Sequence, residues 1–326
     1  MITRRKWNRR RSDDRQEKKE GYKAIQEPDS GIIDEDLLIP TPNGDQVSPT
    51  EEAPKPKLAP PIEPQVFAFM GATGGVGTTS LATQLAYEFS TSTRKKKRRI
   101  KPEDSNVCLI DLNFETGACA HHLDILPSLT IEDLSGPAQA IDESFARALI
   151  STHHTGIALL ATPNIIGTNR QVNPHTIMAL LDATTELYDT VILDLPRDIQ
   201  PWTFPIMEAV DFLGVVCELT IPSLHSAREL LGSISKTSNG NIDPRPIIGK
   251  YERRSFKNTL KLSDAEKALG QKSFATICRD PDTVREALNC GEPAGALKAD
   301  TRFVRDVRYI ATKMRQRANN ESKNAA

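Results

Sequence analysis

The sequence has few aromatic residues and no long apolar run, and each shortage excludes a class of protein. Aromatic side chains make up 5% of the chain, too few for a module that binds RNA by stacking bases on aromatic rings. No apolar stretch approaches the roughly 18 residues that a membrane-spanning helix requires. The basic start, MITRRKWNRRR, has no apolar segment behind it, so it does not have the pattern of a secretory signal.

Cysteine pairs and an excess of either charge are also missing. The five cysteines are odd in number and lack CxxC spacing: Cys108, Cys119, Cys217, Cys278 and Cys290. This argues against a disulfide framework and favours a reducing cytoplasm. The chain has 42 Lys and Arg residues against 43 Asp and Glu residues, for a formal net charge of −1. That balance disfavours a protein that coats nucleic acid, while a local basic patch remains compatible with it.

Composition divides the chain into an arm, residues 1–63, an α/β domain, residues 64–318, and a polar tail, residues 319–326. The arm is basic at its start, acidic in its middle and ends in the proline-rich run PTEEAPKPKLAPPIEP. Little hydrophobic periodicity occurs there, so we expect a disordered arm with an extended linker. The basic start has two interpretations: a solubilising tail, or a segment that docks on a partner or an anionic surface.

From residue 65 onward, short apolar runs alternate with amphipathic helical patterns. The runs are VFAFM, VCLID, GIALLAT, TVILDL, DFLGVVCEL, PIIGKY and FATICR. Helices are predicted near residues 78–90, 141–152, 174–186, 223–235, 281–289 and 301–316. Continuously apolar strands separated by helices are typical of a parallel sheet that is covered on both faces. The sequence therefore predicts an α/β fold with a doubly wound, mostly parallel sheet.

A glycine-rich segment follows the first predicted strand and leads directly into a helix. Its predicted phosphate-binding residues are Gly74, Gly75, Val76, Gly77, Thr78, Thr79 and Ser80. The amide groups at a helix N-terminus and the positive end of the helix dipole attract a phosphate, and glycine lets the backbone approach it closely. In the order strand, glycine loop, helix, this segment indicates a nucleotide-phosphate site.

Two aspartates lie at the ends of two predicted strands. Asp111 closes VCLID and Asp194 is in TVILDL, and the carboxyl ends of parallel strands meet at the sheet edge where such folds bind ligands. A lone aspartate at a strand end usually caps a helix, but two of them beside a glycine loop favour a Mg²⁺ site. We expect the Thr79 hydroxyl to bind Mg²⁺ directly and both carboxylates to reach it through water.

These motifs resemble the deviant P-loop ATPases of the MinD/ParA class. The resemblance covers about residues 65–297 and is carried by GATGGVGTTSLATQLA, VCLIDLNFETGACAHHLDILPSLTIEDL, YDTVILDLPR and DPDTVREALNCGEPAG. The last two segments are most similar to the CpaE/TadZ type of tight-adherence (Flp) pilus assembly protein. That resemblance implies a cytoplasmic, dimerising protein at the inner membrane or cell pole. Such a protein binds ATP or ADP with Mg²⁺ and organises the pilus secretion ATPase and other Flp pilus components.

The site departs from that family at its charged positions. Thr78 stands where the phosphate-binding lysine belongs, and Thr73 stands where the class has its signature lysine. Asn113 replaces the aspartate that positions the attacking water, and it cannot take a proton. Gly249 and Lys250 occupy the place of the asparagine that recognises adenine. A hydrogen bond from a charged group contributes roughly 1.5–3 kcal/mol, so two missing lysines weaken phosphate binding by about 3–6 kcal/mol.

We therefore expect a dimerising scaffold of the Flp or type IV secretion machinery, with low nucleotide affinity and little or no ATP hydrolysis. Two alternatives remain open. One is an active MinD/ParA-type ATPase that positions DNA or a polar complex, and the other is a nucleotide-independent regulator of exopolysaccharide or cellulose secretion. Nucleic acid is not the expected partner, because the chain lacks a defined groove-reading element.

Three further features each have more than one interpretation. Arg94–Arg99 is an unbroken basic run that forms either a solvated loop or a contact with anionic lipid or an acidic partner. The final predicted helix is amphipathic and basic, so its apolar face either packs on the domain or binds a membrane. The pairs His121–His122 and His153–His154 are not expected to bind metal, because no cysteine or carboxylate lies at ligand spacing. We expect the second pair to cap a helix C-terminus.

Overall fold

The computed structural model of the chain describes residues 64–94, 106–164, 172–252 and 260–323. The predicted arm at 1–63 lies outside these residues, as do residues 95–99 of the basic run and the last three residues. Arg94 is the final residue of the first helix. The predictions about the arm, and about the basic run as a contact with lipid or a partner, therefore remain predictions.

The described residues contain eight strands, which form one sheet. They are β1 (Gln65–Gly71), β2 (Val107–Asp111), β3 (Ser151–Thr152), β4 (Ala158–Leu160), β5 (Thr190–Asp194), β6 (Phe212–Glu218), β7 (Arg245–Tyr251) and β8 (Ala275–Cys278). Their order across the sheet is β3-β4-β2-β5-β1-β6-β7-β8. All neighbours are parallel except β3 and β4, which form an antiparallel hairpin at one edge. The doubly wound, mostly parallel sheet is confirmed, and each of the seven predicted apolar runs supplies a strand.

The central strands are buried on both faces, which explains why their sequences are apolar without alternation. Every residue of β2 and of β5 is buried, as a sheet covered by helices on both sides requires. In the register between them, Asp111 is the partner of Asp194, and Asp194 is in turn the partner of Phe69 on β1. The two aspartates therefore lie side by side at the carboxyl edge of the sheet.

Helices connect the strands. In the described residues they are α1 (Thr78–Arg94), α2 (Cys119–His122), α3 (Ile131–Ser135), α4 (Glu143–Leu149), α5 (Pro174–Leu187), α6 (Thr203–Ala209), α7 (Ile221–Thr237), α8 (Leu262–Leu269), α9 (Pro281–Cys290), α10 (Ala294–Leu297) and α11 (Arg302–Lys323), with a short 3₁₀ helix at Ala138–Ala140. Three of the longer ones share a start signal. Asn173, Thr220 and Asp280 each cap a helix whose first turn contains a proline, so local sequence specifies where α5, α7 and α9 begin.

The short helices were not predicted from the sequence. Helix α2 has four residues and α8 has eight, and hydrophobic periodicity needs a longer window before it distinguishes a helix from a loop. Helices α3, α6 and α10 are missed for the same reason. They lie in the connections between strands, and their positions follow from tertiary packing rather than from local pattern.

The helix predicted near residues 141–152 is confirmed at residues 143–149 and is wrong at its C-terminal end. Helix α4 ends at Leu149, and Ser151–Thr152 forms β3 instead of a last helical turn. His153 and His154 therefore lie in the turn between β3 and β4 and do not cap a helix. Gly156, with a φ of 79°, reverses the chain there, and Ile157 then accepts the amide of His153 at 2.8 Å. Strand pairing thus overrides the helical pattern.

The final helix, α11, packs its apolar face on the domain. Its buried residues are Phe303, Val304, Val307, Ile310, Ala311 and Met314. Arg308 donates to Glu88 of α1 at 2.9 Å. A membrane-binding helix would need that apolar face to be free, so packing is the correct alternative.

The final helix runs to Lys323, past the boundary drawn at residue 318, because no glycine or proline interrupts it. Among the described residues, none of the helices combines the length and the apolar character needed to cross a membrane.

Candidate functional site

The glycine loop joins β1 to α1 in the predicted geometry. Gly75 and Gly77 have φ angles of 73° and 95°, which residues with a side chain rarely adopt. The amide of Ala72 donates to the carbonyl of Val216 on β6 at 2.8 Å, and this bond fixes the start of the loop on the sheet. Helix α1 begins at Thr78. Its first amides have no partner within the helix and so suit a phosphate.

The carboxylate pair lies directly beside the start of α1. The hydroxyl of Thr79 donates to Asp194 Oδ2 at 2.6 Å. Asp111 accepts the backbone amides of Asn113 at 3.1 Å and Cys119 at 3.0 Å. The exposed fractions of Asp111 and Asp194 are 4% and 2%. The structure therefore brings together the three residues that the sequence assigns to Mg²⁺.

Burial gives this pair unusual proton affinities. Burial, together with the neighbouring charge of Asp111, raises the pKa of Asp194 to about 8. Burial also raises the pKa of Asp111, against the opposing effect of the backbone amides that it accepts. Two adjacent buried carboxylates without a cation resist ionisation. A divalent cation at this edge would relieve that cost.

The donor set fits Mg²⁺. Thr79, Asp111 and Asp194 offer only oxygen atoms, which are the ligands that Mg²⁺ prefers. Both oxygens of Asp111 already accept backbone amides, so Asp111 would reach the ion through water, while Thr79 and Asp194 would hold it more closely. In P-loop proteins this ion neutralises charge on the nucleotide phosphates.

Cys119 contacts both carboxylates of this site, and the sequence pattern does not predict it. Its thiol donates to Asp194 Oδ2 at 3.7 Å, and its backbone amide holds Asp111. Burial and the two nearby carboxylates raise the pKa of the thiol, which keeps it protonated as a donor. The close contact between Gly117 and Asp111 was not predicted from the sequence either. A β-carbon at Gly117 would overlap the Asp111 carboxylate. The glycine and the cysteine fall in an irregular segment, where no periodic signal marks them.

The residues at the two lysine positions face their own chain. The hydroxyl of Thr73 lies 3.2 Å from that of Ser223 on α7, and Ser223 Oγ in turn accepts the amide of Glu218 at 2.9 Å. Thr78 Oγ1 lies against Gly71, where a β-carbon would come within 2.9 Å of it. Neither hydroxyl carries the charge that a lysine would bring to a phosphate.

Asn113 lies in the turn that follows β2. Its side-chain oxygen accepts a hydrogen bond from the hydroxyl of Thr116 at 3.0 Å. Its backbone carbonyl oxygen accepts one from the amide of Gly117 at 2.6 Å. Asn113 thus stabilises the turn that presents the Cys119 amide to Asp111. An amide side chain in this place has no proton-accepting carboxylate for an attacking water.

A cavity of about 1060 Å³ opens beside the glycine loop. Gly75, Val76 and Gly77 form one wall, and Gly249 and Lys250 at the end of β7 form another. The Nζ atom of Lys250 pairs with Glu218 Oε1 at 2.7 Å. The residues at the expected adenine-reading place therefore line the same cavity as the phosphate loop, with an ion pair where the resemblance predicts an asparagine.

Comparison with known proteins finds relatives in structure only. No protein-family model and no curated protein matches the chain. A ParA family ATPase from Chlorobium tepidum TLS is 20% identical, with a TM-score of 0.66, over 77% of this chain and 99% of that one. MinD from Pyrococcus horikoshii OT3, complexed with Mg-ADP, is 16% identical, with a TM-score of 0.60, over 78% and 97%. The MinC:MinD cell division complex of Aquifex aeolicus gives 16% identity and a TM-score of 0.59 over 77% and 96%.

These likenesses show the fold. The described residues form an eight-stranded, mostly parallel sheet, and the chain has the α/β fold of the MinD/ParA P-loop ATPases. Identities of 16–20% do not establish the activity or the partners of this chain. A proposal about either has to be argued from the residues of the site.

Proposed function

We propose that this chain binds ATP or ADP with Mg²⁺ at the glycine loop, with low affinity, and hydrolyses ATP slowly or not at all. One observation carries the proposal. The 2.6 Å hydrogen bond between Thr79 and Asp194 preserves the ion-binding end of the site, while threonines fill both lysine positions. The chain therefore keeps the groups that hold an ion and lacks those that neutralise phosphate charge.

The size of the missing contribution explains the low affinity. Each charged hydrogen bond contributes roughly 1.5–3 kcal/mol, so the two absent lysines lower affinity by about two to four powers of ten. Transfer of a phosphoryl group depends still more on positioned cations, because charge develops in the transition state. Hydrolysis is accordingly affected more than binding. MinD from P. horikoshii, which has this fold, is complexed with Mg-ADP, and that precedent supports nucleotide as the ligand.

For the biological role, we infer a dimerising scaffold similar to the CpaE/TadZ pilus assembly proteins. The support is the sequence of two segments that the fold places near the site. The Leu-Pro-Arg run follows Asp194 directly, with Leu195 buried and Arg197 exposed. Asp280 and Pro281, at the start of the other segment, line the cavity beside the loop.

The partners follow from that role. The glycine-loop face is the surface through which two copies of the chain would pair. The pilus secretion ATPase and other Flp components are the proposed clients at the inner membrane or the cell pole. The MinC:MinD complex of A. aeolicus supports the idea that this fold offers a surface to a protein partner.

Equilibrium binding of labelled ATP and ADP to the full chain in Mg²⁺ tests the proposal. Asp194→Asn keeps the side-chain shape and removes the charge, and Asp198→Asn, at a residue with 74% side-chain exposure, is the matched control. We expect measurable binding that falls at least tenfold in Asp194→Asn and is unchanged in Asp198→Asn. Absence of binding at millimolar nucleotide would contradict the proposal. Multiple turnovers of ATP by the same preparation would instead favour the active ATPase.

A further inference from the structure

A second cluster of ligand-type side chains lies outside the nucleotide site. His153 and His154 are in the turn of the β3–β4 hairpin, and Glu292 follows the end of α9. A ring nitrogen from each histidine and a carboxylate oxygen of Glu292 all lie within 4.8 Å of one another. No sequence pattern predicts a carboxylate here, because Glu292 is 138 residues away from His154. The fold supplies the missing ligand.

One carboxylate oxygen of Glu292 has a hydrogen-bond partner, and the other has none among the described residues. Its Oε1 atom contacts Nε2 of His154. Its Oε2 atom is buried and has no hydrogen-bond partner among the described residues. That atom lies 4.0 Å from Nε2 of His153. A buried carboxylate oxygen without a partner is costly, and a cation between the three side chains would satisfy it.

His153 is buried, and Thr155 fixes the position of its ring. The side chain is 6% exposed, and its Nδ1 atom lies 2.6 Å from the hydroxyl of Thr155. The amide of Thr155 donates to Nδ1 at 3.3 Å, and Nε2 is the ring nitrogen that faces Glu292. Metal binding at Nε2 requires the tautomer with its proton on Nδ1. In that tautomer Nδ1 donates to the Thr155 hydroxyl, and the longer contact with the amide is given up.

A metal ion between these side chains requires small shifts: the direct contact between His154 and Glu292 has to open, and the gap between His153 and Glu292 has to close. Two ligand atoms on one tetrahedral Zn²⁺ are about 3.4 Å apart, given bonds of about 2.1 Å. The distance of 4.0 Å between His153 and Glu292 therefore needs a shift of about half an ångström to close on an ion. His154 is 67% exposed, so its ring can adjust and the outer side of the ion would be open to water.

The ligand types select the ion. Two imidazoles and one carboxylate suit Zn²⁺ or a similar transition metal, whereas Mg²⁺ prefers oxygen ligands. This cluster therefore differs in chemistry from the oxygen-only set of Thr79, Asp111 and Asp194.

We propose that His153, His154 and Glu292 bind one divalent transition-metal ion, with Zn²⁺ as the natural occupant. The ion links the hairpin at the edge of the sheet to the segment that joins α9 and α10. Such an ion stabilises the folded chain by RT ln(1 + [metal]/Kd), so the stabilisation grows with the logarithm of the metal concentration. The site is independent of nucleotide, and the proposal does not rest on the proposed function.

Titration of the full, metal-free chain with Zn²⁺, against a chromophoric chelator, tests the proposal. Every sample in this titration carries Cys290→Ser, because Cys290 is an exposed thiol two residues from Glu292 that could itself bind Zn²⁺. We expect one equivalent of Zn²⁺ to bind at micromolar free metal and to raise the melting temperature. Loss of a partner that only orients a ligand weakens metal sites by about 10- to 100-fold. His154→Gln and Glu292→Gln, which remove ligands, should each weaken that equivalent at least tenfold.

The matched control is His225→Gln. His225 forms a pair with Glu229 at 3.6 Å, and both side chains are 71% exposed, so this variant removes a histidine next to a carboxylate without touching the cluster. It should leave Zn²⁺ binding unchanged. Co²⁺ in place of Zn²⁺ should give a visible absorption spectrum that both ligand variants lose. Circular dichroism of each variant establishes that it is folded.

Two results would overturn the proposal. The first is the absence of Zn²⁺ binding to the unsubstituted cluster at micromolar free metal. The second is binding that keeps its affinity and stoichiometry in folded His154→Gln and Glu292→Gln. Loss of one equivalent in both variants supports the proposal, whether or not a further ion binds at Asp111, Cys119 and Asp194.

Discussion

The candidate nucleotide site has two parts beside the glycine loop, its ion-binding end and its lysine positions, and only the first keeps its chemistry. Thr79 donates to Asp194 at 2.6 Å, and Asp111 is aligned with Asp194 across two buried strands. Thr73 and Thr78 instead place neutral hydroxyls against Ser223 and Gly71. The aspartates are built into the buried edge of the sheet and its connecting turn. The lysine positions serve only to bring charge to a ligand, so the fold persists without them.

Restoring both lysines should have the largest effect on this comparison. The double substitution Thr73→Lys and Thr78→Lys should raise ATP affinity in Mg²⁺ by about 10²- to 10⁴-fold, because each charged hydrogen bond contributes roughly 1.5–3 kcal/mol. Equilibrium binding of labelled ATP measures the gain. Each single variant should give part of it.

The control for added charge is Ser233→Lys together with Ser235→Lys, two exposed positions on α7. These substitutions raise the net charge by the same amount and should leave affinity unchanged. An unaltered affinity in the loop variant would mean that the glycine loop does not bind phosphate. That result would contradict the claim that the missing lysines limit nucleotide affinity.

The second prediction concerns the ion-binding end without an ion. The pKa of Asp194 is raised from its ordinary value of 3.8 to about 8, so the folded chain holds a proton that the unfolded chain releases. The free energy of unfolding must therefore fall as the pH rises from about 4 to about 8, between the pKa values of the unfolded and the folded chain. Asp194→Asn removes this loss. In EDTA, the free energy of unfolding of Asp194→Asn minus that of the unsubstituted chain should therefore be about 2–4 kcal/mol larger at pH 8 than at pH 5.

Thermal or urea unfolding across pH 5–8 measures the difference, with Asp198→Asn as the exposed control. Saturating Mg²⁺ with ADP should reverse the order of stability, because the unsubstituted carboxylate then has its cation. A pH profile of stability that is the same for Asp194→Asn and the unsubstituted chain would contradict the account of a buried, ion-demanding pair.

A smaller effect is expected at Cys119. Its thiol donates to Asp194 at 3.7 Å, but its backbone amide, which every substitution retains, holds Asp111. Cys119→Ser should lower the free energy of unfolding by about 1 kcal/mol, the ordinary cost of a changed buried contact. Nucleotide affinity should change by less than about threefold. Unfolding and binding measurements check both, with Cys290→Ser as the exposed control. A loss of binding as large as in Asp194→Asn would make Cys119 part of the ion site itself.

The smallest effect is expected at Asn113. A positioned carboxylate can contribute 10²- to 10⁴-fold to a proton transfer, about 3–5 kcal/mol, but only where the phosphate is already held. Asn113→Asp alone should change ATP hydrolysis by about twofold or less. Combined with the two lysines, it should raise hydrolysis above that of the lysine variant. Substantial turnover by Asn113→Asp alone would show that the lysines are not the limiting loss.

Much of the fold follows from local sequence. The seven apolar runs, from VFAFM to FATICR, supply the seven parallel strands, because strands buried on both faces must be apolar without alternation. Capping residues and prolines specify the starts of α5, α7 and α9. Helices α2, α3, α6, α8 and α10 and the β3–β4 hairpin could not be predicted, because a helix of one or two turns and a two-residue strand have no clear periodicity and depend on what packs against them. Gly156 was the one local sign of the hairpin.

The candidate site divides in the same way. The glycine loop, Thr79 and the two strand-end aspartates follow from motif and position, since parallel strands bring their carboxyl ends to one edge. Cys119 could not be found, because it reaches Asp111 and Asp194 through an irregular turn. Glu292 could not be assigned to His153 and His154 either, because no local pattern joins residues that are 138 positions apart in the chain.

The Mg²⁺ dependence of ADP binding tests the central claim most directly. The ion-binding end is intact and the lysine positions are neutral, so nucleotide affinity should depend mainly on the ion. The account predicts that labelled ADP binds the full chain in Mg²⁺ and that affinity falls at least tenfold in EDTA, with no such difference in Asp194→Asn. Equal ADP affinity with and without Mg²⁺, or no ADP binding in either condition, would contradict it.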